Sequence, residues 1–79
     1  MENRRTNGSA ISAIRKALGV RQDALAAGAG ITKAYMSQIE HGLRQPAPDV
    51  TVKIAARLGT TLDAITYPVS DVASDGSAA

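Results

Sequence analysis

Apolar residues recur three and four positions apart along much of the chain, which is the spacing of one face of an α-helix. The first such face consists of Ile11, Ile14 and Leu18. Ser9 ahead of it is a predicted N-cap, and Gly19 lies just past the last apolar residue, where a terminal glycine is expected. The pattern therefore predicts a first helix between Ser9 and Gly19.

Two short helices are predicted next, separated by a glycine corner. The second helix opens at Arg21 or Gln22, and Gly30 after it can adopt a positive φ at little cost. Thr32 then stands as the N-cap of a third helix, which Gly42 ends. The side chains of this helix pair that should face the core are Leu25, Ala26, Ala29, Met36 and Ile39.

Two further helices complete the pattern. Pro48 suits the first turn of a fourth helix, which Gly59 stops. Thr61 is the predicted cap of a short fifth helix, and Pro68 prevents its continuation. The predicted core-facing residues of these two helices are Val50, Thr51, Ile54, Ala55, Leu58, Leu62 and Ile65.

The same pattern divides the chain into three stretches. Residues 1–8 are polar and are predicted to form a flexible N-terminal arm. Residues 9–67 carry the helices and are predicted to form one domain, for which a chain of 79 residues has room. Residues 68–79 are rich in Ser, Ala, Asp and Gly and are predicted to be disordered.

Composition argues against metal, membrane and enzyme functions. The chain has no Cys and a single His, His41, so we expect no disulfide, no metal site and no cofactor. It has no apolar run of membrane-spanning length and no signal-peptide block near the N-terminus, so we expect a cytoplasmic protein. It also lacks a Gly-rich phosphate loop and a pair of carboxylates in a plausible cleft, so no small-molecule substrate or enzymatic activity is expected.

Charge is concentrated in the predicted domain. Residues 1–67 hold all nine Lys and Arg residues against five acids, a net charge of +4, while two acids lie beyond them. A compact basic domain favours an anionic partner such as nucleic acid. The stretch from Gln22 to Ile39, two short helices around a Gly turn, could present its second helix outward to the DNA major groove.

These features resemble a known family. The positions that carry the resemblance are Arg15, Gly19, Gln22, Leu25, Ala26, Gly30, Ile31, Ile39, Glu40, Gly42, Pro46, Ile54, Ala55, Leu58, Gly59, Leu62 and Asp63. Together with the strings SQIEHGLRQP and KIAARLG, they make residues 11–66 similar to the Xre/Cro/phage-repressor helix-turn-helix family. The chain departs from the family pattern at Arg21, where a Ser, Thr or Asn cap is usual, and at Thr51, where Leu is usual.

The resemblance implies an all-α, five-helix, lambda-repressor-like domain in which helices 2 and 3 form the helix-turn-helix. It implies a buried ion pair between Arg15 and Glu40. It also implies a homodimer on double-stranded DNA. The predicted base-reading residues are Lys33, Ala34, Tyr35 and Gln38. The predicted phosphate contacts are Arg21, Gln22, Ser37, His41 and Arg44, with Lys53 as a further candidate. The predicted dimer contacts are Leu62, Ile65 and Tyr67.

Some of these residues have more than one possible role. Gln38 can form paired hydrogen bonds with adenine, and Lys33 can reach guanine or a phosphate. Tyr35 could contact a thymine methyl group, or it could be a half-buried packing residue. Arg4 and Arg5 could be solvated charges or could add contacts to DNA.

The favoured function is a homodimeric repressor that binds an inverted-repeat operator. An alternative is a controller or antitoxin-type DNA-binding protein that acts with a protein partner. A third possibility is a protein-interaction adaptor that keeps the fold without binding DNA, but the long polar side chains predicted on the third helix argue against it.

Overall fold

The computed structural model describes residues 3–69, which form five helices and one two-stranded sheet. In chain order the elements are β1 Asn3–Thr6, α1 Gly8–Ala17, α2 Gln22–Gly28, α3 Lys33–Glu40, α4 Pro48–Leu58, α5 Leu62–Ile65 and β2 Thr66–Val69. All five predicted helices are present, so the predicted all-α five-helix fold is confirmed. The β-ribbon is an addition to it.

One hydrophobic core joins the five helices. Each helix contributes at least one large side chain that is fully buried; these are Ile11, Leu25, Met36, Ile39, Ile54 and Ile65. Two residues of the predicted core lie at the surface instead, because Leu18 is 56% exposed and Leu62 is 42% exposed. Leu18 is the C-cap of α1, where the chain turns away, and Leu62 opens a helix of four residues.

The start of the chain differs from the predicted flexible arm. Strand β1 pairs antiparallel with β2, in a register that places Arg5 opposite Tyr67. Helix α1 then begins at Gly8, and its N-cap is Asn7 rather than the predicted Ser9. The Asn7 side-chain oxygen accepts from the Ala10 N–H at 3.1 Å. Residues 1–2 and 70–79 of the predicted arm and tail lie outside the described residues.

Contacts with Thr6 hold β1 against the helices. The Thr6 side chain is buried, and its hydroxyl lies 3.1 Å from the hydroxyl of Thr51 on α4. The Gln45 side chain accepts from the Thr6 N–H at 2.9 Å and donates to the Thr6 carbonyl at 3.4 Å. Thr51, an unusual residue at its position, therefore gains a polar partner where Leu would offer only apolar contact.

Gly8 allows α1 to approach α3 closely. A Cβ atom at this position would collide with the carbonyl oxygen of Ile39 and would also lie 2.9 Å from the carbonyl carbon of Glu40. These are backbone atoms at the end of a packed helix, so they cannot move aside without shifting α3. The absence of a side chain at Gly8 therefore sets the distance between the two helices.

We expect Gly8→Ala to lower the free energy of unfolding by about 1–3 kcal/mol, the usual cost of forcing extra atoms into tight packing. Gly28→Ala is the matched control. Its Cβ would lie 2.7 Å from Cδ of Arg57, an exposed side chain that can swing away. The control should therefore change stability by less than about 1 kcal/mol. Urea denaturation followed by circular dichroism compares the two variants, and equal stability would contradict the close approach.

Candidate nucleic-acid interface

Helices α2 and α3 are joined by a tight corner at Gly30. The Gly30 φ is +74°, and the Ile31 N–H donates to the carbonyl of Ala26 at 3.0 Å, which closes the end of α2. The chain then enters α3 at its N-cap Thr32, whose hydroxyl accepts from the Tyr35 N–H at 3.0 Å. The predicted corner and the predicted cap of the third helix are both confirmed.

Helix α3 has one face in the core and one face in solvent. Met36 and Ile39 are buried, whereas Lys33, Ala34 and Gln38 are exposed. We call the surface formed by these three exposed residues the outer face of α3. It offers an ammonium group, a methyl group and a carboxamide, which can each recognise a different group on a base edge.

Tyr35, the fourth residue of the predicted base-reading set, differs from the other three. It is half-buried and packs against the hydrophobic core. The guanidinium carbon of Arg44 lies 4.9 Å from the centroid of its ring, a distance typical of a cation–π contact. The sequence alone does not predict this contact. The one sequence feature that points to it is Gly42, which allows the chain to turn between the two residues.

The predicted ion pair between α1 and α3 is present. Arg15 Nε donates to Glu40 Oε2 at 2.8 Å, and a second guanidinium nitrogen donates to Oε1 at 3.1 Å. The two side chains are only 12% and 5% exposed. Arg15 also donates to the Val20 carbonyl at 3.0 Å, so the loop after α1 is tied to the same guanidinium group.

Gln22 joins the start of α2 to this ion pair. Its side-chain nitrogen donates to Glu40 Oε1 at 3.2 Å, and the side chain is half-buried. Gln22, a predicted phosphate contact, therefore uses one of the two N–H donors of its amide inside the protein. This hydrogen bond places the start of α2 beside the end of α3, where other predicted phosphate contacts lie.

Arg21, at the N-cap of α2, is paired with Asp23 at 3.1 Å, and its side chain is 80% exposed. The hydrogen bond from Arg21 lowers the pKa of Asp23. Asp23 therefore stays ionised at pH values where a free aspartate would be protonated. The stabilisation from the pair is complete above the ordinary pKa of aspartate and is lost as the pH falls through the lowered value. At neutral pH, Asp23 thus neutralises part of the Arg21 charge.

The remaining predicted phosphate contacts lie at the end of α3. His41 is exposed, and its Nδ1 lies 2.8 Å from the Ser37 carbonyl oxygen, an acceptor to which Nδ1 must donate. Nε2 is then the nitrogen left to contact a partner. Ser37 is half-buried and Arg44 is exposed. These residues border the outer face of α3.

The predicted dimer residues are placed in different environments. Ile65 is fully buried in the protomer core, so its side chain is not available to a second chain. Leu62 and Tyr67 are 42% and 44% exposed. Val52 on α4, which was not predicted, is a further exposed apolar residue at 51%.

Neither a metal-binding cluster nor a membrane-spanning helix is found in the described region. Within residues 3–69, no group of three or more His, Cys, Asp or Glu side chains could hold a metal ion. None of the helices in that range is long and apolar enough to cross a membrane.

We expect Glu40→Ala to lower the free energy of unfolding by about 3–5 kcal/mol, because it leaves the Arg15 charge largely buried without its partner. Asp23→Ala, which breaks an exposed pair, is the matched control and should leave the urea midpoint almost unchanged. A Glu40→Ala protein as stable as this control would contradict the proposed importance of the ion pair.

Comparison with known proteins agrees with this geometry. The chain matches the helix-turn-helix family HTH_3 over residues 11–65. A search of curated protein sequences finds no match. Among solved structures, the P22 c2 repressor in complex with synthetic operator 9T is 30% identical, with a TM-score of 0.67, and the match covers 71% of this chain and 85% of the repressor.

Two bacterial proteins give similar scores. The restriction-modification controller protein C.AhdI from Aeromonas hydrophila is 26% identical with a TM-score of 0.69, and the match covers 72% of this chain and 86% of that protein. The clp gene regulator ClgR from Corynebacterium glutamicum is 23% identical with a TM-score of 0.69, and the match covers 71% of this chain but only 60% of ClgR. Since the family match spans most of the chain, and the predicted corner, the cap of α3 and the ion pair are all present, the protein belongs to the helix-turn-helix family.

Proposed function

We propose that this protein is a sequence-specific DNA-binding transcriptional regulator that inserts α3 into the DNA major groove. The observation that carries the proposal is the division of α3 into a buried face and an outer face. Met36 and Ile39 fix the helix to the core. Lys33, Ala34 and Gln38 are left free to meet base edges.

The three residues of the outer face suit different bases. The Gln38 carboxamide has both a donor and an acceptor, the pair needed to bind adenine bidentately. Lys33 can donate to guanine acceptors, and Ala34 can contact a thymine methyl group. Because α3 begins at Lys33, these residues include its first turn, the part of a recognition helix that contacts bases.

Phosphate binding would come from both sides of this helix. Arg21 and Gln22 lie at the start of α2, and His41 and Arg44 follow α3. The hydrogen bond between Gln22 and Glu40 holds the two groups near each other. Such contacts fix the register of the protein on the duplex without reading its sequence. The similarity to the P22 c2 repressor, which was solved in complex with a synthetic operator, supports DNA binding.

We further propose that the protein is a cytoplasmic homodimeric repressor of an inverted-repeat operator. Two copies of α3 would then enter successive major grooves about 34 Å apart. The exposed apolar side chains of Leu62, Tyr67 and Val52 are the candidate dimer contacts. A chain of this size with a thin core would gain stability from such a dimer.

A controller that acts with a protein partner is the second candidate. The similarity to C.AhdI, a restriction-modification controller protein, favours the controller role. DNA binding through α3 is common to both candidates. Co-purification of the tagged protein with the product of a neighbouring gene would distinguish them.

The decisive experiment is a fluorescence titration of the purified protein with random-sequence duplex DNA at two salt concentrations, followed by selection of bound sequences. We expect binding that weakens steeply with salt and enrichment of a palindromic sequence. Salt-sensitive binding without an enriched sequence would contradict sequence specificity. Absence of binding at low salt would overturn DNA binding itself.

Gln38→Ala should relax the preference at one base pair in each half-site, because a bidentate contact contributes about 1–3 kcal/mol of discrimination. Lys53→Ala, which removes an exposed charge on α4, is the control. It is expected to weaken binding to all sequences equally or not at all. A Gln38→Ala protein that selects the wild-type sequence with unchanged stringency would rule out base reading by Gln38.

Asp23→Asn should tighten binding to DNA of any sequence and steepen its salt dependence, because Arg21 loses its carboxylate partner and can meet a phosphate. Asp49→Asn removes an exposed acid from α4 and serves as the charge-matched control. If both variants change affinity equally, the effect is one of net charge and Arg21 does not contact DNA.

A further inference from the structure

The contact between Tyr35 and Arg44 is the one aromatic–cation contact within the described part of the chain. Its two members differ in environment. Tyr35 is half-buried against the core, whereas Arg44 is exposed in the loop after α3. A rigid ring thus supports a long charged side chain that would otherwise sample many rotamers.

The end of α3 creates this contact. Gly42, with φ of +75°, donates to the carbonyl of Ile39 at 3.1 Å, and the Leu43 N–H donates to the carbonyl of Gln38 at 2.8 Å. This pair of hydrogen bonds is a Schellman motif, which ends the helix and reverses the chain. The chain reversal brings Arg44 back beside α3, where its guanidinium group lies over the ring of Tyr35. Tyr35 precedes Gln38, a residue of the outer face, by three positions.

The charge of Arg44 is not neutralised by any carboxylate in the part of the chain that the structure describes. Arg4, Arg15 and Arg21 each pair with a carboxylate. No carboxylate within residues 3–69 forms an ion pair with Arg44. A guanidinium group over one ring has five N–H donors, so those that point away from the ring stay available for a contact with a phosphate.

We propose that Tyr35 is a positioning residue, whose ring holds the Arg44 guanidinium beside the outer face of α3, ready to bind one DNA phosphate. The inference rests on the proposed DNA binding. It assigns to Tyr35 the orientation of a phosphate contact in place of the predicted reading of bases. An arginine held in its bound geometry loses less conformational entropy when DNA binds, which strengthens the contact.

Three variants test the proposal by titration with random-sequence duplex DNA over a series of KCl concentrations. Tyr35→Phe keeps the ring and should bind within about twofold of the wild type. Tyr35→Leu keeps an apolar side chain without the ring, and Arg44→Ala removes the charge. Each of these should weaken binding by about three- to tenfold, and Arg44→Ala should also reduce the slope of log K against log [KCl] by about 0.9, the value for one phosphate.

The double variant Tyr35→Leu with Arg44→Ala decides between positioning and independent action. We expect it to bind as Arg44→Ala does, because the ring then has nothing to position. We also expect Tyr35→Leu to select the same DNA sequences as the wild type. An additive loss in the double variant, an equal loss in Tyr35→Phe and Tyr35→Leu, or an altered base preference would overturn the proposal.

Side-chain NMR of the wild-type protein and of Tyr35→Phe tests the contact while an aromatic ring is kept at position 35. The Arg44 Hδ protons should be shifted upfield by the ring, and the shift should persist in Tyr35→Phe. Random-coil Hδ shifts in the wild type would overturn the positioning role. Failure of the wild type to bind DNA would overturn the proposed function and this inference together, whereas normal binding with any of the contrary results above would overturn only the inference.

Discussion

The bidentate ion pair between Arg15 and Glu40 fixes the position of α3, on which the outer face depends. Burying two charges is favourable only when geometry and further hydrogen bonds compensate for lost solvation. Here Val20 accepts from Arg15, and Gln22 donates to Glu40. Gly8 completes the arrangement by letting α1 approach the last residues of α3. The end of α3 is thus held by both neighbouring helices, which allows its opposite side to remain polar and exposed.

The cations near α3 are not equivalent, although the sequence predicts phosphate contacts for more than one of them. Arg15 is committed to the interior, and Arg21 shares its charge with Asp23 in solvent. Arg44 is neither buried nor paired with a carboxylate within residues 3–69, and an aromatic ring orients it. Charge alone therefore says little about which arginine can bind DNA. The partners of each guanidinium group determine whether its donors are available.

Local signals in the sequence predicted the helices well. Thr32, Thr61 and Gly59 stand at the positions their capping chemistry requires, and caps depend only on residues a few positions away. The sequence does not predict the ribbon, because β1 and β2 have only four residues each and their pairing joins opposite ends of the domain. The family resemblance supplied the ion pair. Neither local pattern nor resemblance predicts the Tyr35 contact with Arg44, because it depends on how the chain reverses after α3.

The ribbon also has a consequence for how the protein folds. Helices α1 to α4 each end in local backbone hydrogen bonds, so they can form early. The pairing of Asn3 with Val69 must instead close a loop that contains all five helices. Closure of such a long loop carries an entropy cost that local contacts do not. The one-turn helix α5, which leads directly into β2, should therefore become ordered late and together with β1, as the last cooperative unit of the domain.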